Sequence, residues 1–221
     1  TEKNTDRLFE MILEEAKAIT CADGQTLYSM NKDGNLEFEI MRNDTMNINM
    51  GGTSGIEIPY YPVKLWIDKQ TPNEKNVSAY VALAQKTVNI HDAYEEEGFD
   101  FEGTKNFDEK SGYRSKSFLT VPLKNHENEI IGVMQLINAR NEHGEVISFN
   151  EEMQEQLESL ASQGAVALTN KRLVEELKTL FEAFIKLIAT AIDKKSEYTG
   201  GHCNRVPVIT MMLADAVTEM N

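Results

Sequence analysis

Few residues in this chain stand at a spacing that could do chemistry. The run Gly51-Gly52-Thr53-Ser54-Gly55 has the composition of a phosphate cradle. A cradle needs a strand before it, a helix after it and usually a lysine. None is evident here, so the run reads as a turn. The stretch from His91 to Arg114 is polar and acidic, with Tyr94, Phe99, Phe101, Phe107 and Tyr113 scattered through it. It is too long for a simple connection. Either it is a binding loop or lid, or its rings are plugs that seal an irregular segment. Cys21 and Cys203 are far apart and outside any Cys-x-x-Cys arrangement. That usage fits a reducing compartment without a disulfide framework.

The totals bound what such residues can serve. The 221 residues have room for one sizeable domain and extra elements, and 41 % are apolar, enough for a packed core. A formal net charge of −14 repels phosphate backbones and anionic lipid, which argues against nucleic acid or a membrane surface as partner. No apolar run reaches about 18 residues and no signal peptide is visible, so the expectation is a soluble, cytoplasmic chain. It opens on Thr1 rather than Met and stops abruptly at Asn221, which suggests a piece of a larger protein.

The positioning elements come from periodicity. Leu8, Phe9, Ile12, Leu13, Ala16 and Ile19 form one helical stripe across 6–20. Two strands, 25–30 and 36–41, flank an Asp33-Gly34 turn, and Leu36, Phe38 and Ile40 alternate with Glu37 and Glu39. A short helix over 76–84 and a short strand over 87–90 precede the aromatic stretch. Strands at 117–123 and 129–138 form the clearest hairpin. Leu119, Val121 and Leu123 share one face, as do Ile131, Val133 and Ile137, and the other faces are also apolar, which marks central strands covered on both sides. A polar loop over 140–147 follows, then a helix from Phe149 to Asp193 on the order of 60 Å long. Hairpin-joined strands with helices at the ends imply an α+β domain with a mostly antiparallel sheet.

The segments AYVALAQKTVNIHDAY, FDEKSGYRSKSFLTVPLKN, EIIGVMQLINAR and FNEEMQEQLESLASQGAVAL together resemble a GAF domain, the small-ligand sensor module of phosphodiesterases, phytochromes and bacterial signalling proteins. With the section from Leu8 to Met41, the resemblance covers about four fifths of the chain. It implies a six-stranded antiparallel sheet with helices on one face and a ligand pocket on the other, roofed by the 91–114 segment. On that map Asp92, Tyr94, Phe107, Tyr113 and Ser117 are the candidate ligand-binding residues for an unknown small molecule. Cyclic-nucleotide-binding members pair a Lys with an Asp in an Asn-Lys, Phe, Asp-Glu signature. Here Ala139 follows Asn138, Val146 stands at the Phe position, and Asn150-Glu151 replaces Asp-Glu, so that pair cannot form. No cysteine lies in the pocket segments for a bilin, and His91 and His126 are isolated, as structural or exposed histidines are.

Further on, IATAIDKKSEYTGGHCNRVPVITMMLADAV resembles the opening of an HD-GYP domain, a family that hydrolyses cyclic di-GMP with a metal pair held by His and Asp residues. Tyr198, Thr199, Gly201, His202, Arg205 and Val206 match its Tyr-Thr-x-Gly-His-x-x-Arg-Val signature. The resemblance makes His202 one metal ligand, with the divalent pair (Fe or Mn) expected only in the complete domain. A single His cannot hold a catalytic metal, so these residues alone should be inactive. His91-Asp92 precedes His202, where the family order requires its His-Asp pair behind.

The resemblances divide the chain into 1–172 (GAF sensor), 173–187 (connecting helix) and 188–221 (a truncated, all-helical HD segment). From Leu173, the positions Leu177, Leu180, Phe184, Leu187 and Ala191 step by four and three, a coiled-coil rhythm that implies a homodimer through the terminal helices. The functional expectation is a regulatory module of a cyclic di-GMP phosphodiesterase; the alternative is a structural dimerisation module with no ligand.

Overall fold

The computed structural model describes residues 2–195, 205–206 and 208–212. They fall in two units, Thr1–Lys171 and Arg172–Asn221. In the first unit helix α1 (Glu2–Thr20) leads into strands β1 (Gly24–Met30), β2 (Leu36–Asn43) and β3 (Ile48–Gly51). Helix α2 (Val77–Ala84), strand β4 (Val88–Ile90) and helix α3 (Glu102–Ser111) follow, then β5 (Phe118–Lys124) and β6 (Ile130–Ile137). A two-residue ribbon, β7 (Ala139–Arg140) with β8 (Val146–Ile147), precedes helix α4 (Glu151–Lys195). The six longer strands make one antiparallel sheet in the order β3-β2-β1-β6-β5-β4.

Each face of this sheet has its own core. Phe9, Leu13 and Ala16 of α1 and Leu157, Leu160, Ala161 and Leu168 of α4 pack on Leu27, Leu119, Leu123 and Leu136. Gly164 lets α4 come close, since a Cβ there would lie 2.9 Å from Leu123 Cδ2. The opposite face buries Tyr28, Leu36, Phe118 and Val133 under Val77, Val81 and Ala82 of α2. Asn76 starts α2 by accepting the Ala79 amide at 3.0 Å, and Asn150 starts α4 in the same way through Met153 at 2.8 Å.

Two bulges decide which apolar side chains reach which core. Pairing passes from Leu27–Ile40 to Tyr28–Phe38 and skips Glu39, so Ile40 enters the α1/α4 core while Leu36 and Phe38 stay on the α2 face. Strict alternation had placed the three together; an extra residue in one strand reverses the parity beyond it. Likewise Ile131 is skipped between Leu123–Gly132 and Lys124–Ile130. Ile131 therefore joins the α1/α4 core rather than sharing a face with Val133 and Ile137. Leu8, expected on the buried stripe of α1, is 41 % exposed.

Three irregular stretches gain structure. The 91–114 segment, expected to be a loop, contains α3, which carries no apolar stripe; it closes on Gly112 at φ 70°, whose amide reaches the Asp108 carbonyl. The expected loop at 140–147 holds the β7/β8 ribbon around Gly144. The glycine run forms a 3-10 turn, Gly52–Ser54, whose Thr53 amide and hydroxyl hold the Glu10 carboxylate at 3.0 and 2.8 Å, with Arg42 beside it at 3.2 Å. The anion at this turn is the chain's own.

The second unit is helical where it is described, over the rest of α4 and at 205–206 and 208–212. Within it Leu173, Leu177, Leu180, Phe184 and Leu187 are 55–67 % exposed. Tyr198, Thr199, Gly201 and the candidate metal ligand His202 lie outside the described residues. No helix among the described residues is long and apolar enough to cross a membrane.

Candidate functional site

The α2 face is where small-molecule chemistry could happen, because its cover is irregular and polar groups lie beneath it. Ala93 and Phe101 of the 91–114 segment join the core of this face, and Phe101 packs on Phe118 with ring centroids 5.2 Å apart. On the β2 side a strap runs past the sheet edge, where Val63 pairs with Leu36 through both backbone groups, at 2.8 and 2.9 Å, and Leu65 is buried.

A clamp holds the 91–114 segment shut. Asp92 Oδ1 accepts the Tyr94 amide at 2.9 Å and Arg114 at 2.6 Å. The Arg114 guanidinium lies 3.3 Å from the centre of the Tyr94 ring, a cation–π contact. Tyr94 donates its hydroxyl to Asp108 Oδ2 at 3.1 Å, and the same carboxylate takes the amide and hydroxyl of Ser115 at 2.7 and 2.8 Å. Burial works against the charged form of Asp92, but the Tyr94 amide and Arg114 outweigh it and hold its carboxyl below the ordinary value. Burial first, and then the Asp108 carboxylate, push the Tyr94 phenol up.

A second knot ties this segment to the end of the sheet. The Asn138 carboxamide accepts the amides of Lys116 and Ser117 at 2.7 and 3.2 Å and donates to the Tyr113 hydroxyl and the Arg114 carbonyl at 3.0 and 2.7 Å. Tyr113 is pushed well above the usual phenol range, chiefly by burial and then by the neighbouring Asp23 carboxylate. Ser117 is fully buried and donates its hydroxyl to the Ile147 carbonyl at 2.7 Å, on the α1/α4 side.

The five expected residues are thus distributed. Asp92 and Tyr94 meet in the clamp, Tyr113 sits in the Asn138 knot, Ser117 points away from the α2 face, and Phe107 is 38 % exposed on α3. Asp108, Ser115 and Asn138 organise the segment; in the sequence Asn138 stood out only as the Asn of the Asn-Lys signature, and the other two not at all. Nor did the buried polar residues of the α2 face, Thr26, Ser78, Thr120 and Gln135. Thr120 and Gln135 stand as polar interruptions in the apolar strands FLTVPLK and IIGVMQLI, a signal that was available. Ala139 is fully buried and Asn150 is occupied as a helix cap, so neither can make the Lys–Asp pair; the fully buried ring beside α4 is Phe149, while Val146 is half-buried. Among the described residues no group of three or more His, Cys, Asp or Glu could hold a metal ion.

Known proteins agree with this geometry. The GAF domain profile matches residues 4–168, and the chain belongs to the GAF domain family. It is 33 % identical over 130 residues to a dual 3',5'-cyclic-AMP and -GMP phosphodiesterase 11A of Takifugu rubripes, across 59 % of this chain and 14 % of that protein. The chain therefore spans a small part of that relative. Two solved structures share the fold. One is the GAF domain of an Acinetobacter phosphoenolpyruvate-protein phosphotransferase, with TM-score 0.51, 17 % identity, and coverage of 75 % of this chain and 82 % of that one. The other is a GAF domain/HD domain protein from Geobacter sulfurreducens, with TM-score 0.53, 10 % identity, and coverage of 78 % and 96 %.

Proposed function

We propose that this GAF domain is the sensory module of a bacterial signalling protein, that it binds a small effector on its α2 face, and that α4 passes the result, within a homodimer, to a C-terminal HD-GYP phosphodiesterase acting on cyclic di-GMP. The observation that carries this reading is the coexistence in one chain of a GAF domain and, about thirty residues beyond the matched region, the Tyr198-Thr199-x-Gly201-His202-x-x-Arg205-Val206 spacing. A GAF domain/HD domain protein among the fold neighbours and a phosphodiesterase among the relatives support it. His202 would supply one imidazole to the divalent pair. The buried Ala139 and the committed Asn150 favour an effector other than cAMP or cGMP held through a Lys–Asp pair.

The exposed apolar row from Leu173 to Leu187 supports pairing with a second copy, because an apolar stripe at this spacing gains by burial against its equal. Changing Leu180 and Phe184 to Lys should turn dimers into monomers in sedimentation; a dimer that persists removes the seam. For the hydrolase half, the roughly 150 residues that follow in the parent gene should hold a His-Asp dipeptide and a Gly-Tyr-Pro element, and their absence would end it.

A second reading, a dimerisation module without a ligand, is favoured by one observation: Phe101, Phe118, Val81 and Val133 fill much of the α2 face themselves. Native mass spectrometry of freshly purified protein separates the two, since a copurified small molecule supports only the sensor.

A further inference from the structure

Backbone pairing across the middle of the α2 face places Thr26, Gln135 and Thr120 side by side on three adjacent strands. The neighbouring rows, Val133 and Pro122 on one side and Ile137 and Phe118 on the other, are apolar. Ser78 of α2 lies over the polar row, and Tyr28 turns its hydroxyl toward Ser78 and Thr26. Burial raises that phenol to about 12, so it is a neutral donor at any ordinary pH. Polar groups inside a sheet face are costly unless they are paired, and this row is only half paired. Gln135 Nε2 donates to Ser78 Oγ at 3.3 Å and Thr120 Oγ1 at 3.1 Å. Its Oε1 accepts no hydrogen bond from the described residues and is not one of the buried atoms left without a partner, so this oxygen reaches solvent although Gln135 as a whole is only 9 % exposed. The Ser78 and Thr120 hydroxyls already accept from Gln135, which leaves their protons to be donated.

We infer that Thr26, Tyr28, Ser78, Thr120 and Gln135 form the recognition floor for an uncharged ligand that presents a hydrogen-bond donor beside an acceptor, as a carboxamide, a lactam or a neutral heterocyclic base does. This rests on the sensor reading above and gives its effector a chemical class. The ligand's N–H meets Gln135 Oε1 and its carbonyl or ring nitrogen takes a proton from a neighbouring hydroxyl. With the carboxamide turned over, oxygen and nitrogen exchange roles, the ligand's donor and acceptor exchange with them, and the class is unchanged.

Charge selects against ions of either sign. Helix α2, with the sequence VSAYVALA, contains no Lys, Arg, His, Asp or Glu, and neither do the polar row and the rows beside it. The Arg114 guanidinium is committed to Asp92 and the Tyr94 ring, and the Lys124 ammonium to the Gln85 carbonyl. A phosphate or carboxylate seated on this row would lose its water with no cation to replace it. This separates the effector from cyclic nucleotides on grounds independent of Ala139.

The test uses the full chain with 15N-labelled glutamine side chains and matched probes: nicotinamide against nicotinate, guanosine against cGMP, and a panel of small neutral lactams. The expected result is that neutral probes move the Gln135 carboxamide signals and saturate at concentrations at least tenfold below those of their charged partners. Because Gln135→Met removes the reporting carboxamide, its binding is followed by titration calorimetry, where the heat of the neutral probes should vanish without a change in the thermal melt. Thr120→Val, which conserves shape, should weaken the Gln135 response several-fold and serves if the first variant fails to fold. A charged partner that binds at Gln135 equally well overturns the inference. So does a panel in which no neutral probe moves those signals, or binding indifferent to both variants. Binding mapped beside Tyr94 and Phe107 instead overturns the row and leaves the sensor standing. Occupation of the row without any change in amide exchange over 91–114 or α4 keeps the site and removes its sensory role.

Discussion

On the α1/α4 face, Phe9, Leu13, Leu27, Leu119, Leu123 and Leu136 are each at most 1 % exposed, and the helices above them are long and regular. On the other face the same strands carry Thr26, Thr120 and Gln135, and the cover is one eight-residue helix, a strap and a clamped segment. Regular helices can present an unbroken apolar stripe, so the first face packs to the density of a core. Short and irregular cover leaves polar groups among the apolar ones, and on the reading proposed above that face receives the effector. One sheet thus carries two cores of different character: one wholly apolar, the other interrupted by a polar row that the proposed reading gives to recognition.

Paired substitutions on adjacent residues of β6 break or sharpen this contrast most directly. Leu136→Ala should lower the free energy of unfolding by about 3 kcal/mol through lost burial and a cavity. Gln135→Leu should change it by less than about 1 kcal/mol, because the replaced polar group is only partly satisfied. Urea titration of both variants decides; equal losses would make the polar row a structural element rather than a binding floor.

Next in size is the knot that joins the segment to the sheet. Asn138→Ala leaves the buried amide of Ser117 and the half-buried amide of Lys116 without their acceptor, and should cost about 2–3 kcal/mol. Faster exchange of those two amides is the specific readout. A uniform loss of protection would instead spread the effect over both faces.

The smallest effect is expected at the clamp. Arg114 is 42 % exposed on its side chain, so Arg114→Ala should cost less than about 1 kcal/mol. Its pH dependence has a definite sign. The Asp92 carboxyl is held below its ordinary value in the folded protein, so its contribution is complete above the unfolded value of about 3.9 and is lost as pH falls through the lower, folded value. Amide exchange at Tyr94 should quicken over that acid window in the native protein and show no such step in Asp92→Asn.

The regular elements were legible because their periods are local properties. The stripe through Phe9, Ile12, Leu13 and Ala16 announces α1, and the alternation in FLTVPLK and IIGVMQLI announces the central hairpin. Helix α3 left no such trace: EGTKNFDEKS has one large apolar residue, Phe107, and its one buried side chain is the carboxylate of Asp108. The helix is anchored by hydrogen bonds to Tyr94 and Ser115, which lie outside it. Of the site that the resemblance implied, Asp92 and Tyr94 meet in the clamp, whereas Ser117 faces the other way because the pleat sets it in phase with Leu119.

Residue order by itself determined the family, the antiparallel α+β architecture, the long terminal helix and the apolar row from Leu173 to Leu187, since each depends on neighbours within a few turns or on motif spacing. Tertiary structure alone decided the bulges at Glu39 and Ile131, the side that Ile40 and Ile131 take, and the alignment of Thr26, Gln135 and Thr120. The reason is physical. Register is a relation between strands distant in the chain, a slip of one residue moves every side chain to the opposite face, and no local pattern carries that information.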